Sequence, residues 1–181
     1  NAQETEKAAI LADGTLVIKL YYKRNLYNVN FDTKGAAAMQ AIPVAYGKKI
    51  MKPETEPTKQ GYVFAGWYMD EAYTDAVNFT SDKMPANEIT LYAKWDPADG
   101  VAYKVEHYLA ELDGTYTKYA QDSLLSGKTD TDVNAVPAAI SGFAFDEENA
   151  NNIKSGKVAP DGSLVLKLYY NRAYFDVEWL N

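Results

Sequence analysis

His107 is the only imidazole on which this chain could build a nucleophilic device of the Ser-His-Asp or Cys-His kind. Such a device needs a nucleophile beside the imidazole, and the sequence around His107 suggests none. The residue falls in an alternating stretch that predicts a strand, so we interpret it as a packed or half-exposed strand residue. The carboxylates are scattered, and their spacing does not demonstrate a glycosidase pair. We therefore assign no catalytic residue and predict that the chain is not an enzyme.

Residues 130–134, Asp-Thr-Asp-Val-Asn, begin like a calcium-binding loop. The EF-hand pattern requires glycine at its sixth position and glutamate at its twelfth, where this chain has Ala135 and Ser141. That pattern is rejected, and looser cation binding by these carboxylates is the weaker alternative. Gly61 and Gly66 have the spacing of a phosphate loop but lack the Lys-Ser/Thr that follows it. The sequence predicts neither a metal site nor a cofactor.

Three tryptophans, Trp67, Trp95 and Trp179, could form a platform on which sugar rings stack. A small unit has few other large residues to bury, so we predict that Trp67 and Trp95 form a core instead. An intramolecular Lys–Asn crosslink would suit a surface stalk without cysteines. It needs a buried lysine beside an asparagine and an acid, and the sequence does not place those groups. Ligand-binding residues therefore stay unassigned.

Composition excludes several classes of function. The 181 residues carry a formal net charge of −7 and a pI of about 4.8, which opposes binding to nucleic-acid phosphates. The apolar runs are too short to span a membrane. Cysteine is absent, so disulfides and thiolate metal sites are excluded. The chain begins and ends mid-pattern, and we expect it to be part of a longer protein.

Two twelve-residue segments, 13–24 and 161–172, repeat each other at an offset of 148 positions. Each opens with Asp-Gly, a turn signal, and continues as alternating apolar and polar residues that predict a strand. The residues predicted to share the inner face are Leu16, Ile18, Leu20 and Tyr22 in the first copy, and Leu164, Leu166, Leu168 and Tyr170 in the second. A long internal match at fixed spacing is typical of repeat proteins.

Other alternating or apolar stretches predict further strands, with turns and glycines between them. We expect these strands within residues 27–32, 43–50, 89–95, 101–109, 116–125 and 142–145. Residues 112–115 predict a hairpin turn, and Gly61 and Gly66 predict tight backbone turns around an aromatic cluster. Residues 96–100, Asp-Pro-Ala-Asp-Gly, are the strongest candidate for a domain boundary.

The first half resembles the Listeria–Bacteroides repeat, the B-repeat of internalin-type surface proteins. The residues that carry the resemblance are Tyr27-x-Val29-x-Phe31, Tyr46-Gly47, Pro57-Thr58-Lys59-x-Gly61-Tyr62-x-Phe64-x-Gly66-Trp67-Tyr68 and Met84-Pro85-Ala86-x-x-Ile89-Thr90-Leu91-Tyr92-Ala93-Lys94-Trp95. The family usually has Gly-Gly after the first strand, whereas here Gly35 is followed by Ala36. The resemblance implies a small β-grasp-like unit that serves as a repeated module of cell-surface proteins.

The second half resembles, more loosely, the mucin-binding (MucBP) repeat of Gram-positive surface proteins. The residues that carry it are Tyr103-x-Val105-x-x-Tyr108, Asp113-Gly114, Gly127-Lys128, Gly142-Phe143 and the repeated strand at 161–170. On this interpretation, residues 1–25 are the tail strand of a preceding MucBP-like repeat or a linker. Residues 26–96 are the Listeria–Bacteroides repeat, 97–173 the MucBP-like repeat, and 174–181 the start of a following repeat.

The predicted fold is mainly β, or α+β, with two small β-grasp-like modules in tandem and an elongated shape. We expect a non-enzymatic region of a bacterial surface protein that is extracellular, either secreted or anchored to the cell wall. Its stalk or adhesion modules would contact host glycoprotein, glycan or protein weakly and multivalently. The expected chain is monomeric, with no nucleic-acid partner and no membrane insertion. The alternative is a carbohydrate-binding accessory region of a secreted enzyme.

Overall fold

The computed structural model describes residues 12–15, 17 and 19–174. These ranges contain eleven strands joined by turns and no helix, which confirms the prediction of a mainly β fold. None of their elements is a helix long and apolar enough to cross a bilayer. Trp179 and the rest of residues 175–181, within the predicted start of a following repeat, lie outside the described residues.

The first sheet has four strands in the order β2-β1-β4-β3. Its strands are β1 (Leu26–Asp32), β2 (Ile42–Ala45), β3 (Tyr62–Tyr68) and β4 (Ile89–Pro97). β1 pairs antiparallel with β2 through a register that sets Tyr27 opposite Val44, and it pairs parallel with β4. The strands expected around residues 27–32, 43–50 and 89–95 are therefore confirmed.

The core of the first sheet follows from the alternation of its central strands. Val29 on β1 and Leu91 and Ala93 on β4 are fully buried, as their shared strand face predicts. Trp67 on β3 is 3% exposed, which confirms its prediction as a core residue. Its ring meets Phe31 edge-on, with centroids 4.9 Å apart. Burial of these apolar side chains is the main favourable contribution to the stability of the sheet.

The second sheet has five strands. They are β5 (Val101–Ala110), β6 (Tyr116–Lys118), β7 (Ser123–Gly127), β9 (Phe143–Phe145) and β11 (Val165–Arg172), and a separate ribbon joins β8 (Asp132–Asn134) to β10 (Ser155–Lys157). β5 pairs antiparallel with β6 and β7 and parallel with β11, while β11 also pairs antiparallel with β9. Leu166, Leu168 and Tyr170 of β11 are buried, as the repeat pattern predicts.

The two sheets share one strand order. In each, the first strand pairs antiparallel with the strand or strands that follow it in the chain, and parallel with the last strand of the sheet. The last strand also lies beside a strand that precedes it in the chain, β3 in the first sheet and β9 in the second. Two segments with no long sequence match therefore build the same core pair of parallel strands.

The chain packs into two compact units that do not follow the order of the sequence. The first contains Ala38–Thr55, Trp67–Tyr92 and the described residues up to Asp32, and the second contains Thr33–Ala37, Glu56–Gly66 and the described residues from Ala93 onward. The boundary predicted at residues 96–100 lies inside the second unit, and β4 continues to Pro97. The tandem boundaries at 26, 97 and 174 stay predictions.

Gly61, in the second unit, is held by contacts with residues far away in sequence. Its carbonyl accepts a hydrogen bond from the Ala98 N–H at 2.9 Å and another from Thr129 Oγ1 at 2.7 Å. The neighbouring Tyr62 hydroxyl donates to Asp130 Oδ2 at 2.6 Å. Gly61 has a φ of +75°, which agrees with the tight turn predicted there. Gly66 lies inside β3 rather than in a turn.

The first copy of the repeated segment differs from the second. Its described residues, 13–15, 17 and 19–24, lie outside any strand, although the alternation predicts one. Within the described residues it has neither a β5-like nor a β9-like neighbour, and a lone strand would leave its backbone N–H and C=O groups without partners. Whether residues 1–25 are the tail of another repeat stays a prediction.

Candidate functional site

The sheet of the second unit buries a polar cluster around His107. His107 lies on the inward face of β5, and its Nδ1 is 2.9 Å from the Tyr170 hydroxyl on β11. Its Nε2 is 3.0 Å from Ser123 Oγ at the start of β7. The Ala138 N–H donates to the same Tyr170 hydroxyl at 2.9 Å. A serine therefore does stand beside the only histidine, brought there by the pairing of β5 with β7.

The Tyr170 hydroxyl links His107 to the backbone. It accepts a hydrogen bond from the Ala138 N–H, and its own proton can be donated to His107 Nδ1. In that arrangement the imidazole proton lies on Nε2 and is donated to Ser123 Oγ. A general base needs the opposite arrangement, in which the imidazole accepts the serine proton. In either arrangement the cluster satisfies the buried polar groups of His107 and Tyr170.

Lowering the pH from 7.5 to 5.5 should destabilise the chain through His107. Burial lowers the pKa of His107, and the charge of Asp122 only partly opposes this. In the unfolded chain the histidine has a pKa of about 6.5, so at the lower pH it binds a proton that the folded histidine does not bind. The stability that this neutral histidine contributes is complete above about pH 6.5 and is lost as the pH falls below it. Thermal melts across this range measure the loss.

The control for this pH effect is His107→Gln, which removes the titrating group. The melting temperature of the variant should change little between pH 7.5 and 5.5. Glu106 does not interfere, because the neighbouring Lys104 and Lys118 lower its pKa from 4.5 to about 2. The stability that Glu106 contributes is present above pH 4.5 and is lost only as the pH falls toward 2. Equal pH slopes for the wild type and the variant would contradict the role given to His107.

The opposite face of the same sheet carries three tyrosines, Tyr108, Tyr116 and Tyr169, which we call the tyrosine face. Tyr108 and Tyr169 are paired across β5 and β11, and their rings stack with centroids 4.8 Å apart and planes 13° apart. The Tyr116 ring meets Tyr169 edge-on at 5.1 Å. All three rings are half-buried, so each has one part fixed in the sheet and another part open to solvent.

Charged and amide groups fix the tyrosine face in place. The Tyr108 hydroxyl donates to Glu106 Oε2 at 2.9 Å, and Glu106 Oε1 accepts from Lys104 at 2.8 Å and Lys118 at 2.9 Å. The Tyr116 hydroxyl donates to Asn171 Oδ1 at 3.0 Å. A rigid surface of aromatic rings, ammonium groups and amides loses little conformational entropy when it contacts a polar partner. It is the best-organised candidate contact surface among the described residues.

Lys118 and Asp130 are the residues at which the crosslink and cation-binding hypotheses can be compared with the structure. Lys118 is ion-paired with Glu106 and Asp122, its side chain is 41% exposed, and hydrogen bonds to these carboxylates raise its pKa. A crosslinking lysine must be buried and neutral, so Lys118 is unsuited to that reaction. Across the described residues, no group of three or more His, Asp or Glu side chains could hold a metal ion. Within the 130–134 stretch, Asp130 is engaged by Tyr62.

The tryptophans do not form a surface platform among the described residues. Trp67 is buried, and Trp95 is half-buried with its Nε1 donating to the Thr33 carbonyl at 2.9 Å. The Phe64 ring covers Trp95 edge-on at 5.4 Å. These contacts use the Trp67 ring as core and Trp95 Nε1 as a structural hydrogen-bond donor.

The first unit also has an open groove of about 500 Å³. It is lined by the start of the edge strand β2 and by residues that precede and follow this strand in the chain: Ala38, Met39, Gln40, Ile42, Met51, Lys52, Pro53, Glu54 and Thr55. The lining mixes methionine and proline with charged side chains and brings together no group that suggests catalysis. Nothing in the structure indicates what would cover it.

Comparison with known proteins supports the resemblance of the first half. Residues 27–94 match the family model of the Listeria–Bacteroides repeat domain. Internalin H of Listeria monocytogenes is 35% identical over 103 residues, which are 55% of this chain and 17% of that protein. The resemblance stated for residues 26–96 is therefore confirmed, whereas that of the second half to MucBP repeats stays a prediction.

Two further relatives come from Evansella cellulosilytica. One, named as a Gly-rich membrane protein, is 39% identical over 85 residues, which cover 46% of this chain and 10% of that protein. The other, named as a membrane protein, is 35% identical over 94 residues, or 52% of this chain and 14% of the relative. The chain thus spans less than a fifth of the length of each of these three relatives.

Nothing in the sequence indicates that the tyrosines form one surface. The available signal was the abundance of tyrosine, 15 residues, combined with outward positions on two predicted strands. Tyr108 alternates with the inward His107, and Tyr169 with the inward Leu168. Only the parallel register of β5 and β11, which places Tyr108 opposite Tyr169, shows that the rings meet.

Proposed function

We propose that this chain is a non-enzymatic repeat region of a bacterial cell-surface protein, secreted or anchored to the cell wall. The observation that carries the proposal is the match of residues 27–94 to the Listeria–Bacteroides repeat, together with an internalin among the relatives. The strand order shared by the two sheets supports a repetitive stalk built from similar units. The central parallel pair in each sheet supports a β-grasp-like description, with turns and loops in place of the helix.

The region acts as a stalk whose modules make weak adhesive contacts, and the tyrosine face is the surface that we assign to them. Its partners are host glycoprotein, glycan or protein. An acidic chain lacks the electrostatic attraction that would give one module high affinity for an anionic polymer. Repetition compensates, since linked weak sites gain affinity from effective concentration without any new contact. The carbohydrate-binding accessory region loses its main support, because Trp67 is buried.

We expect the 181-residue chain to bind immobilised mucin-type glycoprotein weakly or undetectably. A protein that carries several copies of the chain in tandem should bind with an apparent affinity at least about 10²-fold higher. Surface plasmon resonance on both proteins measures this difference, with the single chain also injected at high concentration to detect millimolar binding.

The matched control for this experiment changes the tyrosine face alone. Tyr169→Ala in every copy removes the ring that contacts both Tyr108 and Tyr116, while Leu124→Ala removes an exposed apolar side chain on β7 of the same sheet. Only the first should abolish the avidity, provided that circular dichroism shows both variants folded. Tight one-to-one binding by the single chain would contradict the multivalent proposal.

A further inference from the structure

Among the described residues of the segment 13–24, several apolar side chains are exposed. Leu20 is 70% exposed and Tyr22 is 86% exposed, and Val17 is also exposed. The similar segment 161–172 contains β11 (Val165–Arg172), a central strand of its sheet. The two segments differ only at Thr15/Ser163, Ile18/Leu166 and Lys23/Asn171, so nine of the twelve positions are identical. An exposed apolar strand sequence of this kind is normally paired or covered.

The second copy shows what covers such a sequence. β11 lies between β5, to which it is parallel, and β9, to which it is antiparallel. Leu166, Leu168 and Tyr170 are 0–1% exposed there, and the Tyr170 hydroxyl is fixed by His107 and Ala138. The counterparts in the first copy are Ile18, Leu20 and Tyr22. Two of the three differences suit this slot, because Leu-to-Ile keeps the volume of the core side chain and Lys23 replaces the exposed Asn171.

The turn that leads into the strand is already formed in the first copy. Asp13 Oδ1 accepts from the Thr15 N–H at 3.1 Å, as Asp161 Oδ1 accepts from the Ser163 N–H at 3.0 Å. Gly14 and Gly162 have φ values of +70° and +76°. The two turns are equal, but the described residues that follow them differ in structure. This indicates that the local sequence of the first copy can form the turn and the strand, and that the first copy lacks partner strands within the described residues.

We propose that residues 13–24 are the closing strand of a further module of the second-sheet type. This strand pairs parallel with a β5-like strand and antiparallel with a β9-like strand, and Tyr22 occupies the place of Tyr170 against a buried histidine. The partner is a segment like 97–148, joined in the same polypeptide ahead of residue 1. In the second copy the strands that pair with β11 precede the Asp-Gly turn in the chain, and the same turn is preserved in the first copy. The inference is independent of adhesion.

The test extends the complete chain by one copy of its own residues 97–148, fused directly before Asn1. The 148-position offset then places Asn1 where Asn149 follows Glu148. Hydrogen–deuterium exchange of peptides covering residues 19–24 should slow by at least about tenfold relative to the unextended chain, because these amides become paired in a sheet. Unchanged exchange of residues 19–24 in the extended chain would overturn the proposal. Failure of the added copy to fold beside these residues would count as the same result.

Leu20→Asp provides the matched control. In the unextended chain it should leave the melting temperature unchanged, because Leu20 is exposed. In the extended chain it should abolish the protection of residues 19–24, since a carboxylate would enter the place of the buried Leu168. Concentration-dependent dimers of the unextended chain, with residues 19–24 protected, would assign the partner to a second molecule and overturn the proposal as stated.

A second variant tests the slot without any added copy. Ser163→Thr, Leu166→Ile and Asn171→Lys together convert residues 161–172 into the first-copy sequence. If that sequence fits between β5 and β9, the melting temperature should stay within about 5 °C of the wild type. Unfolding of this triple variant would show that the first copy cannot occupy the slot, which would also overturn the proposal.

Discussion

Replacing Trp67 with alanine should cost about 3–5 kcal/mol of stability, which is comparable to the whole stability of a small domain. Trp67 is 3% exposed on β3 and packs edge-on against Phe31 on β1. Alanine would remove the ring contact and leave a cavity that the surrounding strands could only partly close. Urea titration followed by circular dichroism should show a large drop in the unfolding midpoint, or a first unit that is unfolded in buffer.

Val63→Ala is the matched control for Trp67→Ala. Val63 lies on the same strand but is 58% exposed, so its truncation should change the free energy of unfolding by about 0.5 kcal/mol or less. Trp67→Phe should fall between the two, because phenylalanine keeps an aromatic contact with Phe31. Similar small shifts for Trp67→Ala and Val63→Ala would mean that the indole does not support the core of the sheet.

The strands were predictable where one face is buried and the sequence alternates. On β4, Leu91 and Ala93 have the two-residue period that places them together in the core, and on β11 Leu166, Leu168 and Tyr170 have the same period. The buried face of such a strand can be recognised from its local sequence, because each inward side chain is two positions from the next. Sequence alone therefore located these strands and their inward faces.

The polar cluster around His107 was not predictable, because its members come from three strands. Ser123 reaches the histidine through the pairing of β5 with β7, and Tyr170 reaches it through the parallel pairing of β5 with β11, 63 positions away. Neither register is encoded by local alternation, which fixes the face of a residue but not its partner across the sheet. The tyrosine face was missed for the same reason.

The contacts of Gly61 were also not predictable from the sequence. Two glycines near an aromatic cluster predicted tight turns, and the positive φ of Gly61 agrees with that. The structure adds a close approach by another part of the chain: a Cβ at position 61 would lie 2.4 Å from Pro160 Cβ and 2.5 Å from Pro160 Cα. Position 61 therefore excludes a side chain for two separate reasons.

Gly61→Ala should therefore destabilise the second unit by about 2–4 kcal/mol, the sum of left-handed backbone strain and steric overlap. The overlap involves Pro160 backbone atoms, including its carbonyl oxygen 2.6 Å away, so rotation of a side chain cannot relieve it. Separation of the two segments would also weaken the hydrogen bonds that Gly61 O accepts from Ala98 and Thr129. Urea unfolding measures the loss, and faster amide exchange at Ala98 would localise it.

Gly114→Ala separates the two causes of the Gly61 effect. Gly114 has a similar φ of +82° at the tip of the β5–β6 hairpin, but no atom lies within 4 Å of the position its Cβ would take. This variant should show the backbone strain alone, about 1 kcal/mol. The difference between the two variants then measures the close approach of Pro160. Equal losses would show that Gly61 is required only for its backbone conformation, and that the contact with Pro160 yields when a methyl group is added.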